Sequence, residues 1–127
     1  MEIITKELIR NFIHEHPIEY RSSHRRLCLP IINRIYRKMK SGIRFTEIKI
    51  DKGLICDGHH RYIASLLSKT SLPTINTIRT SASLEIDWSL VDFDENDWDT
   101  RIKINLLNQQ DALYNNISPE LLLEILK

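Results

Sequence analysis

Apolar residues recur at helical spacing in several stretches of this chain, and short alternating runs between them read as strands. Leu8, Ile9, Phe12 and Ile13 share one face of a first helix, with Thr5 placed to cap it. His16-Pro17 ends that helix, because the residue before a proline avoids helical backbone. Ile31, Ile32, Ile35, Tyr36 and Met39 mark a second helix, Ile31 to Lys40, stopped at Ser41-Gly42. Phe45 to Ile50 alternates as a half-buried strand, Asp51-Lys52-Gly53 makes a hairpin-type turn, and Leu54-Ile55-Cys56 is the next strand. Ile63, Leu66 and Leu67 place a third helix after it, broken at Leu72-Pro73. Thr74 to Thr80 is dense in β-branched residues and reads as a strand.

Beyond residue 80 the pattern thins. Leu84 to Val91 reads as another strand and Asp92 to Asp99 as a loop. Residues 100–115 form a helix on Ile102, Leu106 and Leu113, although Arg101-Ile102-Lys103-Ile104 alternates and leaves a short strand open. Ser118 and Pro119 start a last helix that packs Leu121 to Leu126. The sum is a small α+β domain, a mixed sheet with flanking helices.

The composition, 42% hydrophobic and 28% charged over 127 residues, fits one folded domain spanning 1–127. No apolar run reaches membrane-spanning length, so no membrane partner is expected. Met1 to Lys6 carries no secretory pattern, and two cysteines, Cys28 and Cys56, are too few for a disulfide scaffold. The expected compartment is the cytoplasm. The net charge of +1 hides an asymmetry: residues 1–50 carry eleven Lys/Arg against five Asp/Glu, residues 81–127 three against ten. Either the halves present two faces, one of them attracting anions, or they pair with each other.

The candidate chemistry lies in Leu54-Ile55-Cys56-Asp57-Gly58-His59-His60-Arg61-Tyr62. A strand runs into a tight turn at Asp57-Gly58 and then into a helix that opens on two histidines and an arginine. Free N–H groups at a helix start suit an anion, above all a phosphate. Gly58 lets backbone approach a ligand closely, and His60 and Arg61 add side-chain donors. Asp57 serves either as a turn and capping residue or as a catalytic carboxylate. His59 serves either as a neutral hydrogen-bond donor or as a general acid or base. A second basic cluster, Arg21-Ser22-Ser23-His24-Arg25-Arg26, brings Arg25 and Arg26 forward as further phosphate ligands, unless the loop is merely solvated.

From Leu29 to Arg79, with Asp57-Gly58-His59-His60-Arg61-Tyr62 at its centre, the chain resembles the ParB/sulfiredoxin-like superfamily, with helix, strand, turn, strand, motif helix and strand in that family's order. The resemblance implies that fold for the core, roughly 29–80, with 81–127 as an extension outside it. It also implies a nucleotide over the Gly58 turn, ATP or CTP with Mg²⁺, and no structural metal. The position where sulfiredoxins carry a nucleophilic cysteine holds His59, which argues against sulfinic-acid reduction. His59 likewise replaces the acid of the Gly-Glu-Arg-Arg of partition-type CTPases, which puts hydrolysis by that scheme in doubt.

Three readings follow. In the first the chain binds a nucleotide or phosphorylated small molecule, with phosphoryl transfer or nucleotide hydrolysis as the leading enzyme class, Asp57 and His59 catalytic, and Gly58, His60, Arg61, Arg25 and Arg26 binding phosphate. The second is a ParB-like nuclease or toxin-type effector acting on nucleic acid. The third is a non-catalytic module that binds a protein partner. The acidic run Asp92 to Asp99 lacks the glycine and distant glutamate of a calcium loop. His14-Glu15-His16 lacks the further ligands a zinc site needs.

Overall fold

The computed structural model describes residues 3–127. Met1 and Glu2, part of the segment read above for a secretory pattern, lie outside the described residues. The elements in chain order are α1 (Lys6–Glu15), β1 (Arg26–Cys28), α2 (Leu29–Lys40), β2 (Ile48–Asp51), β3 (Leu54–Asp57), α3 (His59–Ser68), β4 (Thr74–Asn76), a 3₁₀ turn (Trp88–Leu90), β5 (Asp92–Asp94), α4 (Arg101–Tyr114) and α5 (Pro119–Ile125). The fold is α+β, as the pattern predicts.

The expected caps at Thr5 and Ser118 accept from the backbone N–H of Leu8 and Leu121, and Thr100 caps a further helix by accepting from Lys103. Capping at Thr100 settles Arg101–Ile104 as helix, where alternation alone left a strand open. β2 and β3 form an antiparallel hairpin whose turn puts both Lys52 (φ 47°) and Gly53 (φ 83°) in the left-handed region. β4 runs parallel to β2 on its other side, giving the order β3-β2-β4.

The differences from the sequence reading have local causes. Residues 17–27 are not a free loop: Arg21 bridges to Leu54, Ser22 bridges to Ile86, and Arg26–Cys28 pairs in parallel with Asp92–Asp94. The run read as an acidic loop therefore contributes strand β5. Phe93 is buried in the middle of that strand while Asp92 and Asp94 lie at its edges. Between Leu84 and Val91 the chain makes a bridge and a 3₁₀ turn instead of a strand, fixed by the Trp88 indole N–H donating to the Tyr20 carbonyl at 2.7 Å. Residues 45–47 stay outside β2 because the C-terminal hairpin claims the segment just before them: the Asn115 amide pairs with both backbone groups of Arg44 (2.7 and 2.9 Å). The third helix stops at Ser68, where Lys69 turns left-handed, before the proline is reached.

One core joins α1, α2, α3 and the two sheets through Ile9, Ile32, Tyr36, Ile48, Ile55, Ile63, Trp88 and Phe93. The pair α2 and α3 makes the broadest helix contact. A smaller core of Ile43, Ala112 and Leu122 seats the α4–α5 hairpin. That hairpin is also tied to α2 by Lys38, whose buried ammonium lies 2.7 Å from Asp111. Among the described residues no helix is long and apolar enough to cross a membrane.

The charge asymmetry is spent largely inside the fold. Lys6 and Arg10 face Asp92, Arg21 and Arg79 share Glu85, and Arg34 meets Asp97 and Asp99. Most of these pairs are exposed and each contributes about 1 kcal/mol or less. Lys38–Asp111 is the exception because the ammonium is withdrawn from water. Asp111→Ala should lower stability by about 2–3 kcal/mol, read as a lower urea midpoint, and Asp111→Asn, which keeps an acceptor, should recover part of it. An unchanged midpoint for Asp111→Ala would show that the pair does not hold the hairpin.

Candidate functional site

β3 ends at Asp57, the chain reverses direction at Gly58, and α3 begins at His59. Gly58 has φ 97° and ψ 28°, the left-handed conformation that favours glycine. A Cβ there would stand 2.5 Å from Ile48 Cγ2 and 2.8 Å from an Arg61 guanidinium nitrogen. The glycine is thus required by strand β2 beneath it and by Arg61 folded over it.

The two histidines are anchored by backbone donors. The Ser23 N–H donates to His59 Nε2 at 3.1 Å, and the Cys28 N–H donates to His60 Nε2 at 2.9 Å. Each Nε2 is therefore an acceptor, and each ring carries its proton on Nδ1. His59 is only 2% exposed, and His24 stacks on it at 3.9 Å. Burial, with repulsion from His24 and His60, pushes the His59 pKa down to about 3. Burial and His24 push His60 down to about 4, against the opposing pull of Asp99. Trp98 meets the edge of the His60 ring at 5.7 Å. Both imidazoles are neutral at pH 7, and both Nε2 lone pairs are in use. This favours the neutral-donor alternative at His59 over the acid–base one and leaves His60 a neutral donor; what each retains is an Nδ1–H.

Arg61 donates to the carbonyl and hydroxyl of Thr46 and lies 3.5 Å from the Asp57 carboxylate, which is itself exposed. A cavity of about 880 Å³ opens over this turn. One wall is Asp57 to Arg61 with His24 and Thr46; α2 gives Ile31, Arg34, Ile35 and Lys38; α4 gives Lys103, Ile104, Leu107, Asn108 and Asp111. Phe45, Leu113 and Tyr114 extend the apolar part. The lining thus sets apolar groups (Ile31, Ile35, Phe45, Ile104, Leu107) among charged and polar ones from the turn, α2 and α4.

Arg25 and Arg26 do not line it. Arg26 pairs with Asp94 at 3.1 Å and Asp92 at 3.8 Å, while the Arg25 carbonyl accepts the Asp92 N–H. The basic loop therefore lends its backbone and Arg26 to the β1–β5 pairing, and it reaches the cavity through His24 alone. This corrects the assignment of Arg25 and Arg26 to phosphate. Asp99 is the one carboxylate of the Glu85–Asp99 segment in the lining.

Sequence reasoning missed Arg34, Lys38 and all of α4. The first two had a signal, since Ile31, Arg34, Ile35 and Lys38 share one helical face at i, i+3 and i+4 spacing. Among the described residues no three His, Cys, Asp or Glu side chains converge as a metal site would require. Compared with family models, curated proteins and solved structures, the chain matches none of them.

The histidine geometry sets a pH dependence. The native rings stay neutral far below 6.5, where the unfolded chain takes up protons, so stability is complete above about pH 6.5 and falls as the pH drops toward 4 and then 3. At pH 5 His59 alone should account for roughly 2 kcal/mol. His59→Gln, which offers an amide oxygen to the Ser23 N–H, should flatten the urea midpoint between pH 7 and pH 5. A wild-type midpoint that does not move over that range would contradict the neutral, anchored ring.

Proposed function

We propose that this chain binds a nucleotide, or a related phosphate compound, in the cavity over the Gly58 turn. The observation that carries the reading is the meeting, in one cavity of about 880 Å³, of the α3 start and Arg61 with the apolar side chains of Ile31, Ile35, Phe45 and Leu107. The first suits a phosphate, through free N–H groups and a planar donor fork; the second suits a base or another flat apolar group. The resemblance to the ParB/sulfiredoxin-like superfamily in Asp57 to Tyr62 supports the same ligand class and puts ATP and CTP, with Mg²⁺, first among the compounds to try. Magnesium would arrive with the phosphates, and Asp57 is the exposed carboxylate at the turn that can reach it.

A non-catalytic binding module is the second reading, and the histidines favour it. With both Nε2 atoms accepting backbone N–H groups, neither ring is placed to shuttle a proton, and Asp57 is left as the acid–base group of the turn. Phosphoryl transfer would then rest on positioning and charge neutralisation.

A thermal-shift screen of nucleotides with and without Mg²⁺ tests the proposal, since a ligand of the native state raises its melting point. Arg61→Ala should abolish the shift and leave the unliganded protein folded; equal nucleotide binding by that variant would sink the assignment. Turnover lost in Asp57→Ala would mark an enzyme, binding without turnover a module, and Asp57-dependent cleavage of DNA or RNA would move the site to the nuclease reading.

A further inference from the structure

We infer that Lys103, in the C-terminal extension, is a second anion anchor of this cavity, and that the ligand it selects is a phosphate monoester. The inference rests on the phosphate-binding reading above and extends it to a helix outside the Leu29–Arg79 span that carries the family resemblance.

Four Lys/Arg side chains line the cavity, and three of them are committed. Arg34 is held by Asp97 and Asp99, Lys38 by Asp111, and Arg61 by Thr46 and, at 3.5 Å, by Asp57. Lys103 has no carboxylate within ion-pair distance among the described residues. It stands in the first turn of α4, directly after the Thr100 cap, where the helix dipole disfavours a cation. Arg61 stands in the same unfavourable place on α3. Arg61 at the α3 start and the Lys103 side chain in the first turn of α4 thus line one cavity, and an anion between them would neutralise both cations. The His59 ring also lines the cavity: its Nε2 is taken by Ser23, and its Nδ1–H makes no hydrogen bond within the protein and is free to donate to a ligand there.

The charge of the lining sets the class of anion. Four cations against the carboxylates of Asp57, Asp99 and Asp111 leave one positive charge, with both motif histidines neutral. The open N–H groups at the α3 start add about half a charge. The total of about one and a half positive charges matches a phosphate monoester, which carries roughly −1.5 to −2 at pH 7. A free nucleoside triphosphate brings a larger negative charge, which the three lining carboxylates would repel.

Calorimetric titration in Mg²⁺-free buffer with AMP, CMP, ATP and CTP tests this directly. At least one monophosphate should bind more tightly than its triphosphate. Lys103→Ala should weaken that monophosphate at least about tenfold, the scale of one charge-assisted hydrogen bond, with Lys103→Arg restoring most of it and Lys40→Ala, on the exposed end of α2, without effect. If binding requires Arg61 but is indifferent to Lys103→Ala, or if the triphosphates bind more tightly, the inference falls and the site over Gly58 stands. If none of the four compounds binds the wild-type protein, the site reading falls with it.

Discussion

Two backbone N–H groups, those of Ser23 and Cys28, donate into the imidazoles of His59 and His60, and the geometry of the cavity depends on that pair of bonds. They fasten the first turn of α3 to the chain entering and forming β1. Because β1 pairs with β5, the same bonds set where the acidic C-terminal segment passes over the turn. Cys28 extends the arrangement: its thiol donates to the Asn96 carbonyl and accepts the Trp98 N–H, both at 3.4 Å, while Trp98 packs against His60. Beneath, the left-handed backbone at Gly58 is pressed against Ile48. Replacing either imidazole with an aliphatic side chain would leave a partly buried N–H unpaired, a penalty of about 1–3 kcal/mol.

Charge neutralisation is the second organising constraint. The basic first half and acidic last third find each other: Arg21 and the cations of α1, β1 and α2 meet carboxylates of residues 85–111. A chain whose net charge is +1 thereby neutralises much of its basic half within the fold. The C-terminal third has two tasks in this arrangement. Its carboxylates hold Arg34 and Lys38 at the cavity wall, and its helix α4 closes the side opposite the motif.

Most elements were legible in the sequence because local chemistry decides them. Thr5 and Ser118 as caps, Asp51-Lys52-Gly53 as a hairpin turn, and Gly58 between strand and helix are all local choices, and each stands as read. What escaped reading is set by distant partners. A three-residue strand such as Asp92–Asp94 has two acids around one phenylalanine, and only the neighbouring Arg26–Cys28 makes it a strand. Arg25 and Arg26 looked like phosphate ligands because sequence shows charge without showing that Asp92 and Asp94 take up Arg26. His59 and His60 looked reactive for a similar reason, since burial and a backbone donor, not residue type, make an imidazole inert. Lys103 carried a faint local signal, a cation in the first turn after a capping threonine, whose meaning depends on the cavity facing it.

The central claim is that the α3 start and the Lys103 side chain receive one anion together. Amide ¹⁵N–¹H correlation spectra of the labelled protein, recorded as AMP or CMP is added, report on the α3 N–H groups directly and on Lys103 through its own amide. The largest shifts should fall on His59, His60, Arg61 and Lys103, moving together with a single affinity. Spectra in which those four amides stay still while the nucleotide perturbs residues elsewhere, such as those around Trp88, would contradict the account.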